Sequence, residues 1–479
     1  MNNKPQLARG TRDFGPKEVA KRKYILQTIE NVFKQFGFEP IETPAMEQLT
    51  TLMGKYGTEG DQLLLKILNS GNFFADLKAY NNKGLGHEEF DKTFLPSLSG
   101  KVDDLDEKNS LLLISEKGLR YDLTVPFARY VVMNQHNITM PFKRYQMQPV
   151  WRADKPQKGR YREFWQCDAD VVGTNSLICE TELLLIYHYA FTQLGLNRYQ
   201  IKINNRKILT GIAQVLGLSN HFTAFTVALD KLDKIGIEGV LAELNKIPVK
   251  IDSRKLGEFL NLIKLSNNRE LIKELNTFGL AANETGLTGI NEVVEIINNI
   301  SLSNTNINLV FDPTLARGLS YYTGSIFEVI NTTGSLKSSI GGGGRYDNLT
   351  GIFGLQEVSG VGISFGLDRI YDVMEELNLF PENIKQSSTK VLICCFSELH
   401  IQHAIPIAAL LRNENINTEI YPDAVKLKKQ LGYADSKGIL YALIIGDEEM
   451  EQKHYTLKNL SSGTQEKLTV TEIIYKLNS

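Results

Sequence analysis

Apolar residues recur at helical spacing early in the chain. Leu26, Ile29, Phe33 and Phe36 fall on one face from Lys17 onward, and Gly37 stands where a helix C-terminal cap belongs. Phe38 to Pro44 predicts an extended segment whose prolines, Pro40 and Pro44, suit a sheet edge or an irregular interface. From Gly71 to Lys108 the pattern breaks down into Gly, Asn and acid, as in Asn81-Asn82-Lys83-Gly84 and Asp103-Asp104-Leu105-Asp106-Glu107. This stretch, 71–108, reads as a surface insertion and a candidate for disorder. Order resumes with the apolar run Leu111 to Ile114, and the polar and aromatic stretch from Arg120 to Gly173 predicts several antiparallel strands.

Between His221 and Thr305 helical spacing dominates, for example at Val240, Leu241, Leu244 and Ile263. Strand patterns return at Ile307–Phe311, Ser325–Val329, Gly341–Gly344 and Val361–Phe365, followed by a helix from Leu367 to Leu377. Residues 381–389 are polar and Ser-rich, as linkers are. Beyond them strand and helix alternate, which predicts a small separate α/β domain with a mostly parallel sheet. The fold class expected is therefore α/β and α+β multidomain. Its parts are a first domain over 1–220, a helical insertion over 221–305, the rest of the first domain over 306–380, a linker and a C-terminal domain over 390–479.

The length of 479 residues fits about three domains, and 42% hydrophobic with 23% charged residues is ordinary for a globular protein. A net charge of −2 offers no global attraction for a polyanion, so any nucleic acid must meet local basic patches. Cys167, Cys179, Cys394 and Cys395 form no CxxC pair. Adjacent in a strand, Cys394 and Cys395 point to opposite faces, so structural thiols in a reducing compartment are expected and no metal site is. Residues 1–15 lack the apolar core of a signal peptide, and no run approaches the roughly 18 apolar residues of a membrane span. A cytoplasmic protein without a membrane partner is the expectation.

The densest candidate chemistry lies between Trp151 and Asp170. Arg152, Lys155, Lys158, Arg160 and Arg162 are interleaved with aromatics around a Pro and Gly turn. On charge alone this is a solvated hairpin. Planar guanidinium groups also suit phosphate oxygens, which makes a polyphosphate the natural ligand. Gln166, Asp168 and Asp170 alternate along a strand, so Gln166 and Asp170 share a face and can meet a small polar ligand beside the phosphates. No Walker sequence is present, and the glycines 360, 362 and 366 sit inside a strand rather than in a dinucleotide turn.

Arg152 to Asp170 resembles motif 2 of the class II aminoacyl-tRNA synthetases in its histidine-specific form. Phe36-Gly37-Phe38 followed by Pro44 looks like motif 1 of that class, and Gly366-Leu367-Asp368-Arg369 is similar to motif 3. Leu315 to Gly324, with Arg317-Gly318-Leu319-Ser320-Tyr321-Tyr322, and Gly341 to Asp347 resemble signatures of the histidyl-tRNA synthetases. The segment Lys426 to Asp435 resembles their anticodon-binding domain. Five of these matches stand in order, and with the C-terminal segment the resemblance spans nearly the whole chain, leaving the 71–108 stretch outside it.

The resemblance implies an antiparallel-sheet catalytic domain with a helical insertion, and a C-terminal anticodon-binding domain. It implies ATP and L-histidine as substrates, Mg²⁺ with the ATP, tRNA(His) as partner, and a homodimer through motif 1. Arg317 and Arg152 would be catalytic, at the α-phosphate. Arg160 and Arg369 would hold the outer phosphates and Phe164 would stack on adenine. Asp154 stands where motif 2 commonly has Glu, a shorter acid that weakens the inference of adenine recognition through it. Asp122, Leu123, Thr124 and Gln166 would form the site for the α-ammonium, and Asp170 with Tyr321 or Tyr322 would read the imidazole. Asp122 and Asp170 are Asp where some relatives carry Glu.

Simpler readings remain for parts of this set. Tyr321 and Tyr322 suit ordinary strand packing, Gly341 to Gly344 suit a flexible hairpin tip, and Lys426, Lys428 and Lys429, expected to meet tRNA phosphates, suit a solvated helix face. Synthetase-like folds also include regulatory subunits that bind histidine without charging tRNA. Those typically lack the C-terminal domain and several arginines, which this chain keeps.

Overall fold

The computed structural model describes residues 4–71, 115–249, 251–316, 321–336, 339–382, 384 and 387–478. Residues 72–108 of the expected insertion, the run Leu111–Ile114 and the stretch Arg317–Ser320 lie outside the described residues. The chain divides into two compact units, residues 1–12 with 25–379, and residues 13–24 with 380–479.

Helix α1, Pro16–Gln35, buries Ile25, Ile29, Val32 and Phe33 completely. Gly37, at φ +76°, releases the chain from it, a conformation a side chain would resist. The chain enters β1 (Glu39–Pro40), which pairs parallel with one edge of an eight-stranded sheet, Glu39 opposite Arg144. A proline is tolerated there because an edge strand can spare the N–H.

The sheet runs in the order β1, β5 (Phe142–Trp151), β6 (Glu163–Val172), β11 (Gly360–Gly366), β10 (Ser339–Arg345), β9 (Ser325–Asn331), β7 (Tyr199–Asn205) and β8 (Leu309–Phe311). Its six inner strands are antiparallel, and the short strand at each edge is parallel. A second, three-stranded sheet joins β2 (Met46–Gln48), β4 (Lys117–Leu119) and β3 (Lys66–Ile67).

Residues alternate in function across the large sheet. Cys167, Ala169, Val171, Ile363 and Phe365 are buried, and Phe365 packs at 5.8 Å from Phe33 of α1 and 4.6 Å from Tyr187 on the helix Ile178–Gln193. The even-numbered residues of β6 and β11 face the other way, and Phe164, Gln166, Ser364 and Gly366 among them line the cavity described below.

One expectation is corrected. The Arg120 to Gly173 stretch is not strand throughout, since Thr124–Asn134 is a helix, α2. Val125, Ala128 and Val131 recur three apart and are buried, so tertiary burial overrides the strand preference of this Val-rich segment. Asp122 starts the helix by accepting the Val125 N–H at 3.1 Å. Gly341 to Gly344 form a central strand, as their strand pattern predicts, and not the hairpin tip of the simpler reading.

Helices between 222 and 302, ending in Glu284–Leu302, belong to the first unit. In the second unit a five-stranded sheet is ordered β13 (Thr418–Ile420), β12 (Val391–Cys395), β14 (Tyr441–Ile445), β15 (Tyr455–Asn459) and β16 (Gln465–Leu468). Its first three strands are parallel and the hairpin β15–β16 is antiparallel, which makes the sheet mixed. Cys395 joins one apolar cluster with Ile393 and Leu443, while Cys394 joins another with Leu392 and Ala434, on opposite faces of β12. Among the described residues no helix is long and apolar enough to cross a membrane.

Candidate active site

Strand register builds the floor of the site. Asp170 of β6 lies between Arg144 of β5 and Gly362 of β11, Asp168 between Gln146 and Ser364, and Gln166 between Gln148 and Gly366. The glycines make room. A Cβ on Gly362 would stand 2.0 Å from Asp170 Oδ1, and one on Gly343 would stand 2.2 Å from the Gly362 carbonyl. Neither approach is possible for any other residue. Above these strands opens a cavity of about 500 Å³, a size typical of small-molecule sites, lined by Arg152, Asp154, Arg160, Phe164, Gln166, Tyr322, Glu328, Gly341 to Gly343, Asp368 and Arg369, with other residues.

Three arginines converge on this cavity. Arg152 donates from Nε to the Tyr121 carbonyl at 3.0 Å, and its guanidinium lies 4.1 Å from the Tyr121 ring centroid and 5.2 Å from that of Phe164. Arg369 donates to the carbonyls of Gly159 and Ser339 at 2.9 and 2.7 Å. Arg160 pairs with Asp154 at 2.7 Å. Burial, and then the positive charges of Arg152 and Arg160, pull Arg369 below the usual arginine range. Cations so placed repel one another, and an anion among them relieves the repulsion.

The buried carboxylates Asp122, Asp168 and Asp170, which are not among the residues lining the cavity, meet the opposite problem. Asp122 is buried and accepts from the hydroxyls of Tyr56 at 3.0 Å and Tyr321 at 2.9 Å. Asp170 accepts from the Tyr346 hydroxyl at 2.5 Å and forms an ion pair with Arg144 at 2.7 Å. Burial pushes the Asp168 carboxyl up to about 8, against the pull of Arg144 and with the push of Asp170. It raises Asp170 and Asp122 as well. Tyr56, Tyr321, Tyr322 and Tyr346 are all raised by burial, so they stay protonated and act as donors.

The sequence-derived residues thus fall into groups. Arg152, Asp154, Arg160, Phe164, Gln166, Tyr322 and Arg369 line one cavity. Asp122 and Asp170 are buried, and Leu123 is buried at the start of α2 and offers its carbonyl to Arg144 at 3.4 Å. Thr124 is the first residue of α2. Tyr321 bonds Asp122, and the tyrosine that bonds Asp170 is Tyr346. Arg317 lies outside the described residues. In the second unit Lys426, Lys428 and Lys429 are exposed at the start of the helix Leu427–Lys437, whose other lysine, Lys437, pairs with Glu419 at 2.8 Å. Among the described residues no cluster of three His, Cys, Asp or Glu side chains could hold a metal ion.

Several residues were given no role by the sequence reading. Arg144, fully buried and 4.2 Å from the Phe127 ring centroid, supplies the charge that Asp170 needs. Its signal was its position in β5, opposite Asp170, which only strand pairing reveals. Asp368 receives the Trp165 N–H at 2.9 Å and an ion pair from Arg12, joining the helix Leu367–Glu376 to β6. Arg345 makes a buried two-pronged pair with Glu180, at 2.6 and 2.7 Å, which fixes the end of β10.

Comparison with known proteins agrees with this arrangement. A family model for histidyl-tRNA synthetase matches residues 101–370, and one for the anticodon binding domain matches residues 390–479. The histidine–tRNA ligase of Cytophaga hutchinsonii is 55% identical over 476 residues, covering 99% of each chain. That of Christiangramia forsetii is 52% identical over 470 residues, covering 98% of each. The crystal structure of the histidyl-tRNA synthetase from Nostoc sp. PCC 7120 superposes with a TM-score of 0.75 at 26% identity, covering 99% of this chain and 98% of the other. With a cavity that gathers arginines, a row of buried acids on the adjoining strand and relatives matched end to end, the chain belongs to the histidyl-tRNA synthetase family.

Proposed function

We propose that the chain activates L-histidine with ATP, forming histidyl-adenylate and pyrophosphate, and transfers histidine to the 3′ end of tRNA(His). The observation that carries this reading is the convergence of Arg152, Arg160 and Arg369 on the cavity where Gln166 begins the acidic row of β6. In-line attack of a carboxylate on the α-phosphate brings two anions together, so catalysis is mainly positioning and charge stabilisation.

Arg152, held between two rings and a carbonyl, suits the α-phosphate and the attacking carboxylate. Arg160 and Arg369 suit the outer phosphates, and Phe164 suits adenine. Asp154 acts on ATP through Arg160, which it holds. Arg317 joins Arg152 at the α-phosphate on the strength of the signature alone. Mg²⁺ would enter with the triphosphate, because it retains water and binds largely through phosphate oxygens; Glu328, on the cavity wall, would hold it. The ion supplies charge neutralisation there.

For the amino acid, Asp122, Thr124 and Gln166 complement the three N–H donors of the ammonium. Tyr322, which lines the cavity, reads the imidazole with Asp170, and Tyr321 positions Asp122. Lys426, Lys428 and Lys429 crowd a helix N-terminus, where the helix dipole disfavours cations, so a tRNA phosphate placed there would relieve them. Residues 221–305 serve as a helical insertion domain and 381–389 as the linker to the anticodon-binding domain. The working form is a cytoplasmic homodimer.

ATP–pyrophosphate exchange with each amino acid in turn tests the reading. Histidine alone is expected to support exchange, and Arg317→Ala is expected to lower it about 100-fold or more. Exchange driven by another amino acid would overturn the specificity, and none with any of them would favour a histidine-binding regulator.

A further inference from the structure

Three acceptor oxygens on β6 stand in one row, and only Asp170 Oδ2 has a cation against it. Gln166 Oε1, Asp168 Oδ1 and Asp170 Oδ2 all lack a hydrogen-bond partner among the described residues, and all three atoms are shut off from solvent. Buried acceptors are normally satisfied, so a row of three calls for a ligand rich in N–H groups. Asp170 Oδ2 at least has the Arg144 charge 2.7 Å away. Asp168 occupies the middle of the row, between Gln146 and Ser364, and is 2% exposed. The Ser364 hydroxyl accepts the Gln166 amide N–H at 2.8 Å and donates to the Asp168 carboxyl, whose Oδ1 stays unpaired.

We propose that Asp168 is a further amino-acid-binding residue, a neutral carboxylic acid before histidine binds that loses its proton to solvent on binding and then accepts a substrate N–H. The inference rests on the histidine reading above. In the step the Asp168 O–H bond breaks, its electron pair stays on oxygen, and the proton leaves to water. The new carboxylate faces the incoming cationic group.

The surroundings account for both states. Arg144 from β5 is shared with Asp170, and Asp122 adds a second negative neighbour. Arg120 is a more distant cation, and the hydroxyls of Tyr322 and Tyr187 face the same region without charge. With one close guanidinium for two adjacent carboxylates, ionising both in a dry pocket is unfavourable. A substrate ammonium restores the missing positive charge.

The test is calorimetric titration of the full chain with histidine at pH 7.5, in phosphate and in Tris, whose ionisation heats differ. The difference gives protons released per histidine bound. The parent is expected to release between about one half and one proton, and Asp168→Asn close to none. In pyrophosphate exchange the same variant should raise the KM for histidine about tenfold and leave the KM for ATP within about twofold. Binding without proton release by the parent, or equal release by parent and variant, overturns the proposal. If circular dichroism shows the variant unfolded, the parent alone decides. Its release must fade by about pH 9, where Asp168 would already be ionised before binding, and a release that persists there overturns the proposal too. Absence of both binding heat and exchange would instead sink the histidine reading itself.

Discussion

Arg152, Arg160 and Arg369 around the cavity and the buried acids Asp122, Asp168 and Asp170 are of opposite chemical type and are held by opposite means. Arg152 and Arg369 are tied to backbone carbonyls, Arg160 to a carboxylate, and all three keep the ends of their side chains on the cavity. The acids are sealed in, with tyrosine hydroxyls and one buried guanidinium for company. A large, mobile polyphosphate can be met by cations that remain in contact with water, because attraction is long-ranged and tolerant of geometry. A small amino acid must be told apart from its neighbours by hydrogen bonds, which discriminate only where water cannot replace them.

The sharpest way to break the acidic side is Arg144→Met, which strands Asp170 as an uncompensated buried charge. It should cost about 3–5 kcal/mol of folding stability, read from the midpoint of urea denaturation. A loss below about 1 kcal/mol would mean that Asp170 does not depend on this pair.

On the cationic side, Arg152→Ala should leave the fold intact and lower the rate of pyrophosphate exchange about 100- to 1,000-fold, as removal of one transition-state donor does elsewhere. An unchanged rate would remove Arg152 from the phosphate machinery. A smaller effect distinguishes the sides by pH. Because Asp168 has its folded-state pKa raised to about 8, the native state keeps a proton that the unfolded chain gives up near pH 4. Its contribution is therefore fully present below about pH 4 and is lost as pH rises through about 8. Thermal melts should show a smaller drop between pH 5 and pH 8.5 for Asp168→Asn than for the parent, with equal drops counting against the assignment. Mildest of all, Lys428→Ala with Lys429→Ala should raise the KM for tRNA a few-fold and flatten its salt dependence. Amino-acid activation should stay unchanged.

Much of this was legible before any coordinates. The alternation of Gln166, Asp168 and Asp170 announced a polar face, and helical spacing placed α1 and its terminal Gly37. What sequence could not disclose was pairing across strands. Nothing in the order of residues says that Arg144 stands opposite Asp170, or that Tyr346, rather than one of the paired tyrosines, donates to that acid. Helix α2 was missed because its Val-rich segment carries local strand preference, and only burial on one face against the rest of the unit decides for helix. Asp154, placed with ATP by its motif, pairs with Arg160, a partner that the hairpin brings within reach by turning at Gly159.

The alternation along β6 also makes substrate choice a matter of parity. Even positions place Gln166 on the cavity with Asp168 and Asp170 on the same face, and odd positions present Cys167, Ala169 and Val171 to the helices. A single inserted or deleted residue within this strand would exchange the two sets, offering a greasy floor to the ligand and driving three polar side chains into the apolar layer. Point substitutions can tune the pocket gradually, but length changes here are all or nothing. Variation in the size of this protein must therefore accumulate elsewhere in the chain.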